Sequence, residues 1–86
     1  VLASSKVLNA YSSSSWTLQL YFFSSDRDEP PHIHIKRDKQ IAKFWLNPLS
    51  MGKNRGFKEH ELNQIAKLVT KHQSTLMDAW HDYFDT

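Results

Sequence analysis

The sequence predicts an α+β domain: a small antiparallel sheet of three to four strands with a long C-terminal helix packed on one face. Three observations carry this. Apolar residues alternate at period two through Trp16–Phe23, and again in two short runs on either side of Arg37–Gln40. From Leu62 to Phe84 they recur every three to four residues, with no Pro or Gly between. At 86 residues the chain holds one small core and excludes dinucleotide-binding folds and barrel enzymes.

Residues 1–15 read as a weakly ordered Ser-rich segment, and 16–86 as the single α+β domain. In the first segment only Val7, Leu8 and Tyr11 offer apolar anchors, enough for at most a short edge strand around Val7 and Leu8. The first firm strand puts Trp16, Leu18, Leu20 and Phe22 on one face. A polar loop, Ser24 to Pro31, ends it, and Pro30 and Pro31 set an extended start for the next strand.

That strand is His32–Lys36, and Ile41–Leu46 returns from it. With Asp38 and Lys39 as the two loop residues, Arg37 pairs with Gln40, and the rest of the register follows. Ile33 then faces Phe44 and Ile35 faces Ala42 on an apolar side, while His34 faces Lys43 and His32 faces Trp45 on a basic, aromatic side. Asn47–Pro48 closes the hairpin, and Leu49 to Gly56 reads as a basic loop. The helix begins after Lys58, with Phe57 and Leu62 spaced as a hydrophobic staple and Glu61 at the capping-box position. Continued to Phe84 it is about 26 residues and roughly 39 Å long. The alternative is a break near His72–Ser74. An unbroken helix overhangs the sheet, so Met77, Trp80, Tyr83 and Phe84 are expected to form a protein-contact surface. In the broken form Trp80 folds back into the domain's own core.

Charge is informative by region. Between Lys36 and Lys58 seven basic residues face one acid, Asp38, whereas the last nine residues hold three Asp and no Lys or Arg. An anionic partner for the middle of the chain follows. The chain has no cysteine, which excludes disulfides, thiolate metal sites and cysteine nucleophiles and favours a cytoplasmic location. No apolar run is long enough to span a membrane.

The sharpest chemical feature is His32-x-His34, two imidazoles projecting from one strand face roughly 7 Å apart. With Lys43 beside them they fit metal-free RNA cleavage: one His takes the 2′-hydroxyl proton, the other protonates the leaving oxygen, and the cation stabilises the phosphorane. Lys36, Arg37, Lys53 and Arg55 supply phosphate contacts, and Trp45 a surface for stacking a base. A zinc site needs a third ligand, which must be a distant His or an acid such as Asp26, Asp28 or Glu29. His60, His72 and His81 do not converge on one point along the helix, and neither a metal nor any other cofactor is expected.

Tyr21–Asp26, Glu29-Pro-Pro-His-Ile-His-Ile-Lys36, Ala42-Lys-Phe-Trp-Leu-Asn-Pro48, Asn54-Arg-Gly-Phe57 and Asp78–Phe84 together resemble a small bacterial family catalogued as a domain of unknown function, number 4160. The Ser-rich N-terminal stretch departs from that pattern. The resemblance implies a prokaryotic cytoplasmic protein, the toxin-side member of a toxin–antitoxin gene pair, with a small protein antitoxin as partner. It supplies no catalytic residues. The reading is therefore a toxin acting on RNA or a ribonucleoprotein, with self-association through the C-terminal helix as a further partner state. The alternative is a non-catalytic module that uses the same face to bind nucleic acid or protein.

Overall fold

Alternation decides where the strands form and which way they face. The computed structural model describes residues 5–12 and 17–84. Five strands, β1 (Ser5–Ser12), β2 (Thr17–Phe23), β3 (His32–Arg37), β4 (Gln40–Leu46) and β5 (Leu49–Arg55), form one antiparallel sheet in chain order. Two helices follow, α1 (Glu59–Lys71) and α2 (Gln73–Phe84). The fold is α+β, as the sequence predicts, with more strands and a divided helix. Among the described residues no helix is long and apolar enough to cross a membrane.

The β3–β4 hairpin has the register that its alternation requires. Arg37 pairs with Gln40, Ile35 with Ala42, His34 with Lys43, Ile33 with Phe44 and His32 with Trp45. Asp38, in the two-residue turn, takes the positive φ (53°) that so tight a reversal needs. Leu18, Leu20, Phe22, Ile33, Ile35, Ala42, Phe44 and Leu46 form the buried face, against Phe57, Ile65 and Val69 and against Leu76, Trp80 and Phe84 of α2. Each such Leu, Ile or Phe contributes about 1.5–3 kcal/mol by leaving water. Trp16 lies outside the described residues.

Three elements differ from expectation. β1 runs Ser5–Ser12 and pairs along β2 with a bulge between Val7 and Asn9, so the edge strand is longer than its anchors suggest. Residues 49–55, expected as a basic loop, are strand β5, held by pairing with β4 rather than by burial of their own side chains. Between the pairs Lys43↔Lys53 and Phe44↔Met51, β5 carries one extra residue, Gly52. A Cβ there would lie 2.9 Å from Trp45 Nε1, so this bulge needs glycine.

The helix breaks at His72 (φ −107°, ψ 15°) without Pro or Gly. Thr70 Oγ1 donates back to the Ala66 carbonyl, a bond that bends helices, and the Gln73 side-chain amide donates to the Leu46 carbonyl at the end of β4. At the other end Lys58 has no acceptor to offer as a cap. Only the Glu61 half of the capping box forms, with Glu61 Oε1 accepting the Lys58 N–H at 2.8 Å.

The break overturns the protein-contact surface expected at the C-terminus. Trp80 and Phe84 are buried in the domain's own core, with Trp80 centred 5.2 Å from the Phe22 ring and 4.3 Å from Phe84. Met77 and Tyr83 are half-buried against the same cluster.

Candidate functional site

The sheet face turned away from the helices carries two cross-strand rows. Tyr21, His34, Lys43 and Lys53 stand in register across β2 to β5, and Gln19, Lys36, Ile41 and Arg55 form the next row. Between them lies a hollow of about 660 Å³ lined by Tyr21, Phe23, Glu29, His34, Ile41, Lys43, Lys53 and Arg55, with parts of Ala42 and Asn54. Strand alternation, with the one-residue shift at the Gly52 bulge that turns Lys53 and Arg55 onto this face, brings these cations together from three strands.

Among the described residues Glu29 is the one acid on this lining. Its carboxylate accepts from Lys43 Nζ at 2.5 Å, and that hydrogen bond holds the Glu29 carboxyl below its ordinary range. Lys43 Nζ also sits 4.3 Å from the centre of the Trp45 ring, a cation–π contact. Lys36, Lys53 and Arg55 are exposed.

At one side of the hollow the short 3-10 turn Ser24–Asp28 carries Asp26 inward, where it is buried. Asp26 Oδ2 accepts the Phe23 N–H at 2.8 Å, which closes the turn onto the end of β2. The same oxygen lies 2.9 Å from His34 Nε2 and 3.2 Å from His32 Nε2. His32 Nδ1 donates to the Pro30 carbonyl at 2.9 Å. A carbonyl only accepts, so Nδ1 carries the hydrogen. His32 is 0% exposed, and its Nε2, though within ion-pair distance of Asp26, has no hydrogen-bond partner of adequate geometry among the described residues.

Aromatic rings fix both imidazoles. His32 packs against Trp45 and Trp80, with ring centres 5.4 Å and 5.1 Å away. His34 stacks on Tyr21 at 5.3 Å and meets the edge of Phe23 at 5.0 Å. Burial pushes the His34 imidazole below its ordinary pKa against the opposing pull of the Asp26 carboxylate. Burial, helped by Asp26, pushes the Tyr21 phenol up.

Of the residues singled out from the sequence, His34, Lys43, Lys53 and Arg55 line the hollow, and Lys36 stands beside it. Three do not join them as expected. His32 lies inside the protein and cannot touch a substrate phosphate. Both Nε2 atoms converge on one carboxylate oxygen instead of flanking a phosphate, which removes the division of labour required for two-imidazole cleavage. Arg37 is on the helix side, ion-paired to Glu61, hydrogen-bonded to Gln40 and centred 5.7 Å from the Phe57 ring. It ties β3 to the start of α1. Trp45 is half-buried between His32 and Lys43 and does not line the hollow.

Asp26 and Glu29 complete the site. From the sequence both stand only as possible third ligands of a zinc site, because their convergence depends on a turn that no period reveals.

Comparison with curated proteins and with solved structures returned no match. A family model does match: residues 16–81 align to it, which takes in β2 to β5, the Asp26 turn, both histidines and most of the helical region. The chain belongs to the family described as Domain of unknown function (DUF4160).

Proposed function

We propose that this protein binds RNA through the cationic face of its sheet and acts as the toxin-side member of a bacterial toxin–antitoxin pair, in the cytoplasm. One observation carries the RNA reading: Lys43, Lys53 and Arg55 converge with His34 around a single hollow, Lys36 stands alongside, and among the described residues the only acid on the lining is Glu29, already engaged by Lys43. Such a surface attracts an anionic backbone and orients it through phosphate contacts. Phe23, half-buried on the same lining, offers apolar ring surface beside those cations, which suits unpaired bases. The pairing with an antitoxin rests on the resemblance of the motifs, and the small antitoxin is the partner it implies.

The burial of His32 speaks for binding rather than two-histidine cleavage as the core activity. Among the described residues His34 is the one imidazole on the hollow.

The test is inducible expression in a bacterial host of the wild type and of Lys53→Glu/Arg55→Glu, two exposed positions whose change leaves the core intact. Wild type should arrest growth, and the variant, present at equal level, should not. A harmless wild type, or a variant as toxic as the wild type, would overturn the reading.

A further inference from the structure

We propose that Asp26, His32 and His34 form a mononuclear site for a divalent transition metal of the zinc type. Their donor atoms all lie within 4.8 Å of one another. The two Nε2 atoms stand 2.9 Å and 3.2 Å from Asp26 Oδ2. Tetrahedral zinc, with bonds of about 2.0–2.1 Å, holds its donors roughly 3.3 Å apart, so modest side-chain adjustment admits the ion.

The orphaned nitrogen is the independent sign. With its hydrogen fixed on Nδ1 by the Pro30 carbonyl, His32 presents the Nε2 lone pair to the carboxylate, fully buried and without a hydrogen bond among the described residues. Two acceptors facing each other inside the protein is an unfavourable arrangement. A cation between them resolves it. The Pro30 contact is also the kind of outer hydrogen bond that fixes the tautomer of a metal-binding histidine. Asp26 is held by the Phe23 N–H, and the rings of Trp45, Trp80, Tyr21 and Phe23 lock the imidazoles, so the donors are pre-oriented.

Two imidazoles and one carboxylate select zinc or ferrous iron over magnesium or calcium, which favour all-oxygen shells. Three protein ligands leave one zinc position for water or another ligand. His34 also lines the hollow, so the ion would sit at the margin of the anion-binding face. The metal site stands independently of the RNA reading: Lys53→Ala/Arg55→Ala should weaken RNA binding and leave zinc binding unchanged.

Tag-free full-length protein, stripped with chelator, would be titrated with zinc by calorimetry and melted with and without the ion. One zinc per chain and a Tm raised by several degrees are expected. His34→Ala should weaken zinc at least 100-fold, while His60→Ala, on the exposed side of α1, should not. No stoichiometric zinc on the wild type, or an unchanged affinity in His34→Ala, would overturn the site. Should His34→Ala fail to fold, NMR of the wild-type imidazole nitrogens decides. The Nε2 signals of His32 and His34 should shift together on adding zinc, and their staying in place would overturn the site.

Discussion

One carboxylate oxygen, Asp26 Oδ2, accepts the Phe23 N–H and lies within 3.2 Å of the Nε2 atoms of both His32 and His34. Removing it strips the backbone amide and the His34 ring of their shared acceptor inside the protein. In chelator-treated protein, Asp26→Ala should therefore lower unfolding free energy by about 2–4 kcal/mol in urea titration. Asp26→Asn, which keeps an oxygen for the Phe23 amide, should lose less. Equal stability of Asp26→Ala and wild type would mean that the turn does not depend on this carboxylate. At this scale the sequence was half legible. Period two put His34 and Lys43 on one face, since alternation is a local property. The burial of His32 was not visible, because it depends on Trp80, far away in the chain.

The elements differ in how far local pattern reaches. The β3–β4 register was readable because a two-residue turn and alternating Ile, Ala and Phe leave one pairing that buries the apolar side. β5 was not, since Ser50–Arg55 carries no apolar alternation and its pairing is supplied by β4. The start of α1 was readable from Phe57, Glu61 and Leu62. Glu61 accepts the Lys58 N–H, and that bond first, then Arg37, holds its carboxyl below the ordinary value of 4.5. On acidification the unfolded chain thus takes up this proton before the folded one. The contribution of Glu61 is complete above 4.5 and is lost as pH falls through the lower folded value. Urea midpoints measured from pH 6 downward should fall less steeply for Glu61→Gln than for wild type. Parallel curves would contradict a role for the Glu61 carboxylate in capping α1.

Across the whole molecule, the helix break decides whether the aromatic C-terminus faces outward or inward. Gln73 reaches the Leu46 carbonyl, α2 turns onto the sheet, and Trp80 fills the space between Phe22, His32 and Phe84. The stripe from Leu62 to Phe84 was legible, but its interruption was not: no helix-breaking residue marks it, and the bond that draws it in comes from β4. Trp80→Glu would bury a charge without a partner in this cluster and should abolish cooperative thermal unfolding. A folded variant with a changed oligomeric state would restore the protein-contact surface that the burial of Trp80 rules out.

The cationic face is likewise a product of the whole sheet, since its rows draw on β2 to β5 and the turn that carries Glu29. Its most direct test is the affinity for a labelled single-stranded RNA measured across a salt series. Three phosphate contacts, from Lys36, Lys53 and Arg55, give a slope of about −2 in log affinity against log salt, or roughly 20-fold weaker binding at 200 mM than at 50 mM. Lys53→Ala/Arg55→Ala should flatten that slope and weaken binding at low salt. Affinity that does not change with salt, or no binding at 50 mM, would contradict the claim that this face grips an RNA backbone.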